Sequence, residues 1–172
     1  MNVFYGAAIQ GAQNREIRAN VNKALIEKIK QSGYQVVTEH TTSTTHADAL
    51  MELERAIGPM PHDETLRRQF VREQMIHAIE GDLIACVFEV SLPSLGTGIE
   101  FAHAYLRPRL GLKQIPVLAL YQKDHWPNKL STMIRGISKE SISHLTIYDY
   151  DTVDDAKQYL EQFFINLEKD QF

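Results

Sequence analysis

Short apolar runs alternate along the chain with segments in which apolar residues recur at helical spacing, a pattern typical of α/β proteins with a parallel sheet. Two of the runs are continuously apolar, as expected of central strands that helices cover on both faces. We therefore predict a doubly wound sheet of five strands. The strands are expected at VFY from Val3, YQVVT from Tyr34, LIACVFEV from Leu83, IPVLALY from Ile115 and HLTIYDY from His144.

Three segments have the spacing of amphipathic helices. The first covers residues 17–29 and is followed by Gly33, a residue that often ends helices. The second covers residues 63–79, and Asp63 can cap its first turn. The third covers residues 151–167, and its apolar stripe is expected to pack on the sheet.

Residues 41–63 are polar and are interrupted by Gly58, Pro59 and Pro61. We expect a mobile excursion here, with or without a short helix. Long loops on compact domains are often active-site lids, but a solvated loop without a function fits the pattern as well. The sequence leaves both interpretations open.

Length and charge narrow the class of protein. A chain of 172 residues is long enough for one domain with a hydrophobic core, and we treat residues 1–172 as that domain. The formal charge is -4, and there is no surplus of Lys and Arg, so nucleic acid polymers are not expected partners.

The N-terminus lacks the pattern of a secretory leader, and no segment reaches eighteen apolar residues. We expect a cytoplasmic protein that does not enter a membrane.

Cysteine and histidine residues do not indicate a metal centre. The single cysteine, Cys86, lies in an apolar run and is interpreted as a buried structural thiol. One cysteine excludes a disulfide within the chain and a zinc site built on several cysteines. The seven histidines lack the spacing of metal ligands, so we predict neither a metal nor another cofactor.

Two loops rich in small residues are expected to meet. In a sheet of order 2-1-3-4-5, ligands bind at the carboxyl ends of strands one and three, where the order reverses. The loops that follow those strands are GAAIQGAQN and SLPSLGTG. Their small residues allow backbone N–H groups to approach an anion. A complete G-x-G-x-x-G motif and a Walker lysine are absent, which disfavours nucleoside triphosphate hydrolysis.

Glu100 follows the second of these loops. We expect it in the first turn of a helix, where the helix dipole would keep its carboxylate ionised. On spacing alone, an ordinary capping role explains it better than catalysis does. Asp82 and Glu89 flank strand three and are interpreted as surface or loop-orienting residues.

Four motifs occur in one order along nearly the whole chain: YGAAIQG, VVTEH, GDLIACVFEVSLPSLGTGIEFAHA and LSTMIRG. This set resembles the nucleoside 2-deoxyribosyltransferase superfamily, and most closely its branch of 2'-deoxynucleoside 5'-monophosphate N-hydrolases. The resemblance implies a flavodoxin-like fold and cleavage of the base–sugar bond of a nucleotide or nucleoside. Two alternatives remain: transfer of the sugar to a second base, and a nucleotide-binding module that has lost catalysis.

The resemblance assigns roles to individual residues. Glu100 matches the nucleophile that attacks the anomeric carbon. Ser94, Gly96 and Gly98 match the turn that binds phosphate. His40 matches a histidine near the mouth of the pocket.

The resemblance also implies that the N-terminal loop and a second subunit contribute residues to the site. Ile9, Gln10 and Gly11 match the N-terminal loop of the phosphate site. Ser131 and Met133 match residues that complete the neighbouring site in a homodimer, in which Ser131 would contact phosphate and Met133 would line the base or sugar pocket.

The chain departs from the family pattern at four positions. Phe4, with Tyr5 beside it, replaces a tyrosine near the sugar, which leaves room for a 2'-hydroxyl. Gln74 replaces an aspartate that assists departure of the base. Ala8 replaces a serine and Gln10 an arginine of the phosphate site, which would favour unphosphorylated nucleosides. The sequence therefore leaves open the base, the sugar and the phosphorylation of the substrate.

Overall fold

Strands and helices alternate through residues 1–8, 15–123 and 129–169, which are the residues that the computed structural model describes. The strands are β1 (Asn2–Ala7), β2 (Gln35–Val36), β3 (Ala85–Glu89), β4 (Val117–Gln122) and β5 (Leu145–Tyr150). The helices are α1 (Arg15–Gln31), α2 (His46–Ile57), α3 (Glu64–Glu80), α4 (Leu95–Tyr105), α5 (Thr132–Arg135) and α6 (Val153–Lys169). Two 3₁₀ segments cover Glu39–Thr42 and Arg107–Leu110.

The strands form one parallel sheet in the order β2-β1-β3-β4-β5. The predicted α/β class and strand order are therefore confirmed. The order reverses between β1 and β3, which are paired to their ends, where Ala7 lies opposite Glu89. A crevice at the carboxyl ends of these two strands follows from this reversal.

Side chains of the central strands alternate between two hydrophobic clusters, because successive residues of a strand point to opposite faces. Val3 and Tyr5 pack with α1 and α6 on one face. Phe4 packs with α3 and α4 on the other, where Cys86 is also buried. The Phe4 ring lies 5.6 Å from the Phe88 ring, measured between centroids.

β2 is shorter than the predicted strand of residues 34–38, because a side chain replaces the backbone ladder at its end. The Tyr5 N–H donates to Thr38 Oγ1 over 2.9 Å, and that hydroxyl donates to the Tyr5 carbonyl over 2.6 Å. Thr38 is buried, so both bonds are shielded from water. The chain then turns into the 3₁₀ segment rather than continuing along β1.

The segment 41–63 contains the 12-residue helix α2, so the form of the excursion that includes a helix is the one observed. Thr45 caps α2 by accepting a hydrogen bond from the Asp48 N–H over 3.1 Å, and the helix ends at Gly58, whose φ is 93°. Ala49 and Leu53 are buried, which anchors α2 against the domain. The Gly and Pro residues lie beyond the helix and mark its end rather than a long loop.

The predicted cap of α3 is confirmed, since Asp63 accepts a hydrogen bond from the Leu66 N–H over 2.9 Å. Two positions of the predicted apolar stripes are exposed instead, Ile17 on α1 and Leu66 on α3. No helix of the described ranges has the length and apolar character needed to cross a membrane.

Candidate active site

A cavity of about 370 Å³ lies beside the carboxyl end of β1. Residues 4–7 of β1 line one side, and the 3₁₀ segment 39–42, α2, α3 and the first turns of α4 line the others. The position is the one at which a doubly wound sheet binds ligands. Six of the residues singled out in the sequence line it: Phe4, Tyr5, His40, Ser94, Gly96 and Glu100.

Glu100 lies one turn further into α4 than expected. Ser94 caps the helix by accepting a hydrogen bond from the Thr97 N–H over 3.3 Å, so α4 begins at Leu95 and includes both glycines of the predicted turn. Glu100 is thus the sixth helical residue. The field of the helix dipole acts mainly within the first turn, so it stabilises this carboxylate less than we expected.

Glu100 is half-buried at the cavity wall, and its partial removal from water dominates its ionisation. This burial raises the pKa of the carboxyl group from 4.5 to about 7. Within the described residues, Glu100 has no hydrogen-bond donor and no cationic partner. The expectation of a firmly ionised carboxylate is therefore wrong, and near neutral pH both protonation states are populated.

The first turn of α4 borders the cavity through Ser94, Gly96 and Thr97. The first N–H groups of a helix have no intrahelical acceptor, and the positive end of the dipole attracts anions. A side chain at Gly96 would meet only the Ser94 hydroxyl oxygen, 3.8 Å from the added Cβ. This turn therefore presents polar groups and little bulk on the cavity side.

His40 lines the cavity from the 3₁₀ segment 39–42. Burial lowers its pKa to about 4, so the imidazole is neutral at pH 7. Its Nδ1 atom is buried and has no hydrogen-bond partner among the described residues. A neutral ring with an unused nitrogen can form a hydrogen bond to a ligand.

Some of the remaining predicted residues lie away from this cavity. Gln74 does not line it, although Val71 and Met75 of the same helix do. Ala8 borders a small adjoining space with Arg15. Ile9, Gln10 and Gly11 lie outside the described residues.

The residues matched to a neighbouring subunit lie on the outer side of α4. Ser131 and Met133 border a groove of about 560 Å³ together with Leu95 and Ile99. Gly98, which the resemblance assigned to the phosphate turn, also borders this groove and does not line the cavity at Glu100. Leu95 is 90% exposed, and Met133 is 81% exposed. A single copy of the chain therefore does not bring Ser131 and Met133 to Glu100.

The sequence did not identify a polar network beneath the cavity, centred on Glu89. This residue ends β3, is 2% exposed, and accepts hydrogen bonds at Oε1 from the Ser91 hydroxyl and, over 2.9 Å, from the Tyr150 hydroxyl. The guanidinium of Arg18 lies 3.6 Å from the same oxygen. Of the two interpretations of Glu89, a surface residue is therefore wrong, whereas its hydrogen bond from Ser91, in the loop after β3, agrees with a loop-orienting role. Its position inside the apolar run LIACVFEV was the available signal.

A second chain of hydrogen bonds links β1 to the 3₁₀ segment. The Tyr5 hydroxyl donates to Asn22 Oδ1 over 2.9 Å, and Asn22 Nδ2 donates to the Thr41 carbonyl over 3.1 Å. The hydroxyl of Tyr5 therefore lies on the α1 side of the sheet. The Phe4 ring lies on the α3 and α4 side, the same side as Glu100.

In the described parts of the chain, no three His, Cys, Asp or Glu side chains are grouped so that they could hold a metal ion.

Comparison with known proteins shows similarity to a nucleotide hydrolase by name. No protein-family model matches the chain. A protein of Thermofilum pendens that carries the name "Putative 2'-deoxynucleoside 5'-phosphate N-hydrolase 1" is 33% identical over 161 residues. The match covers 94% of this chain and 93% of that protein, so the similarity extends over nearly the full length of both.

Proposed function

The chain belongs to the family of 2'-deoxynucleoside 5'-phosphate N-hydrolases, in the nucleoside 2-deoxyribosyltransferase superfamily, and we propose that it hydrolyses the base–sugar bond of a nucleoside 5'-monophosphate. The observation that carries this proposal is Glu100, a carboxyl group that burial holds near neutral pKa at the wall of a cavity of nucleotide size. A carboxyl without a protein partner is available to react with a substrate.

In the proposed reaction, an oxygen of ionised Glu100 attacks C1' of the sugar. A bond forms between that oxygen and C1', and the bond between C1' and the base nitrogen breaks. The electron pair leaves with the base, which takes up a proton from solvent or from a donor at the cavity wall. Water then attacks C1', loses a proton and releases Glu100 and the sugar phosphate.

The first turn of α4 is the proposed phosphate site. Its N–H groups, the Ser94 hydroxyl and the helix dipole all favour an anion, and Gly96 leaves the approach open. The N-terminal loop, which includes Ile9, Gln10 and Gly11, would complete this site. We propose that the first turn of α4 outweighs the serine and arginine replaced by Ala8 and Gln10, so that a phosphorylated substrate is favoured over a free nucleoside.

Phe4 bears on the choice of sugar. Its ring lies at the cavity wall on the side of Glu100 and has no hydroxyl group to occupy the space beside C2'. We propose that ribonucleotides are accepted beside deoxyribonucleotides. The Tyr5 hydroxyl does not take the place of the missing group, because it is bonded to Asn22 on the other face of the sheet.

A homodimer is part of the proposal. Leu95, Ile99 and Met133 expose apolar side chains along one groove, and the burial of such a patch favours association. A second copy of the chain that packs against α4 would bring its Ser131 and Met133 toward the cavity of the first. Light scattering that finds only a monomer would remove these two residues from the proposed site.

The test is release of free base, followed by chromatography. Purified protein is incubated with deoxyribonucleoside and ribonucleoside 5'-monophosphates and with the matching nucleosides. We expect release from monophosphates, and we expect Glu100→Gln to reduce the rate by about 10³-fold or more, because it removes the nucleophile. Glu27→Gln, at an exposed glutamate of α1, is the matched control and should leave the rate unchanged.

Other outcomes would point to other functions. Release that persists in Glu100→Gln would exclude this residue as nucleophile. Formation of a new nucleoside when a second base is added, without net release, would indicate a transferase. Binding of nucleotide without release or exchange would indicate a binding module.

A further inference from the structure

A second cavity adjoins the first at Glu100. It has a volume of about 490 Å³, and Glu100, Gly96, Val71 and Met75 line both. Of these two cavities Ser94 lines only the first, whereas the second extends from Glu100 and Gly96 along α3. A ligand whose reacting carbon lies at Glu100 can therefore occupy both.

Three arginines of α3 line this second cavity: Arg67, Arg68 and Arg72. Arg68 forms an exposed ion pair with Glu64 one turn earlier. Arg67 and Arg72 have no carboxylate partner among the described residues. The wall thus has two cationic groups that the folded chain does not neutralise.

Apolar side chains line the same cavity as these arginines. Leu50, Ile76 and Ile99 line the same cavity and keep part of the solvent away from a bound ligand. Charge attraction is stronger beside apolar groups than in bulk water. The planar guanidinium also matches a carboxylate with two parallel hydrogen bonds. Arginines are also common on solvated helix faces. These arginines differ because they line a cavity that extends to Glu100.

We propose that Arg67 and Arg72 form a subsite for an anionic group, such as a carboxylate, on the base of the nucleotide substrate. The inference rests on the proposed function, which sets C1' at Glu100 and the 5'-phosphate at the first turn of α4. The base is attached to C1', and with the phosphate at Ser94 it lies in the second cavity, along α3. The preferred substrates are then nucleoside monophosphates whose base carries an acidic substituent on the edge remote from the sugar.

The test compares matched ligands by calorimetry. One pair is adenosine 5'-monophosphate and its N6-(1,2-dicarboxyethyl) derivative; the other is 2'-deoxycytidine 5'-monophosphate and its 5-carboxy derivative. In at least one pair we expect the carboxylated ligand to bind about tenfold more tightly or better, as a hydrogen bond to a charged group allows. In the double variant Arg67→Ala/Arg72→Ala, the ratio of the two dissociation constants should fall to about one. Arg109→Ala, at an exposed arginine that lines neither cavity, is the control and should keep the ratio.

Three results would overturn the inference: equal affinities within both pairs, a preference that survives in the double variant, and failure of both carboxylated ligands to bind. Base release, measured on the same ligands, separates this inference from the proposed function. An arginine-dependent preference without release leaves the subsite in place and contradicts hydrolysis. Release from the unsubstituted nucleotides without any preference supports hydrolysis and contradicts the subsite.

Discussion

Two carboxyl groups lie near the same edge of the sheet, on opposite faces, and the protein surrounds them differently. Glu89 is fully enclosed on the side of α1 and α6, whereas Glu100 borders the cavity on the side of α3 and α4. Burial raises the pKa of both groups. The difference is in the partners that the chain supplies.

Glu89 has partners that favour its ionised form. Ser91 and Tyr150 donate hydrogen bonds to it, and the charge of Arg18 lies close. These contacts lower the pKa of Glu89 against the effect of burial. Its carboxylate joins α1, β3 and β5, so its role is to hold the elements that frame the site.

Glu100 lacks such partners in the described chain, and burial alone determines the direction of its pKa. A protein gains no stability from a buried carboxyl without donors, and such groups are concentrated at functional sites. The comparison therefore separates the structural carboxylate of Glu89 from the proposed nucleophile, Glu100, by the contacts that each makes. It predicts opposite effects of the same substitution on stability.

The largest expected effect is on stability. Glu89→Gln should lower the free energy of unfolding by about 3 kcal/mol, because it leaves the buried Arg18 without its counter-charge. Glu100→Gln should raise it at pH 8 by about 2 kcal/mol, because the folded chain no longer has to hold an ionised carboxyl. Urea unfolding monitored by circular dichroism measures both.

The pKa of Glu100 determines whether stability rises or falls with pH. The pKa of Glu100 is about 7 in the folded chain, against 4.5 for an ordinary glutamate. Between pH 4.5 and pH 7 the folded state therefore binds more protons than the unfolded state. Stability therefore falls as pH rises through that window. The gain from Glu100→Gln should be present at pH 8 and small at pH 4.5. If Glu89→Gln and Glu100→Gln both lowered the free energy of unfolding at pH 8, both carboxyl groups would stabilise the fold, and the contrast between them would be wrong.

The contrast between these carboxyls was only partly predictable. The strand order followed from apolar runs and helical spacing, because burial on one or two faces imposes those periods on the sequence. Glu100 was identified by the motifs around it. The partners of Glu89 come from α1, β5 and the residues after β3, and such long-range contacts leave no local pattern in the sequence.

One local error comes from the weight given to glycine. Gly96 and Gly98 suggested a loop, but the Ser94 cap allows α4 to begin before them. Gly58 and the prolines near it indicated an excursion with or without a short helix, and they follow the capped helix α2. A favourable cap and buried apolar contacts outweigh the modest cost of glycine in a helix.

The comparison also predicts how the reaction responds to pH. If ionised Glu100 is the nucleophile, kcat/KM should rise about tenfold per pH unit below the pKa of about 7 and level off above it. His40 does not account for such a profile, because burial lowers its pKa to about 4. The rate is measured from pH 5 to pH 9 with a nucleoside 5'-monophosphate.

His40→Gln is the control for the identity of the titrating group. The inflection near pH 7 should remain in this variant, even where the rate itself falls. An inflection that moves or disappears would assign the titration to His40. A rate that declines with rising pH through 7 would mean that Glu100 acts in its protonated form, as an acid.

The smallest effects test the two faces of β1 through adjacent aromatic residues. Tyr5→Phe removes the hydrogen bond to Asn22 and should lower the free energy of unfolding by about 1 kcal/mol, with little change in sugar preference. Phe4→Tyr places a hydroxyl on the cavity side and should shift the ratio of kcat/KM values toward deoxyribonucleotides by up to about tenfold, since one hydrogen bond or one steric contact with the 2'-hydroxyl is involved. Thermal unfolding and base release from matched ribo and deoxyribo substrates measure the two effects. Because side chains alternate along a strand, a change of sugar preference in Tyr5→Phe but not in Phe4→Tyr would place the sugar on the α1 face, away from Glu100.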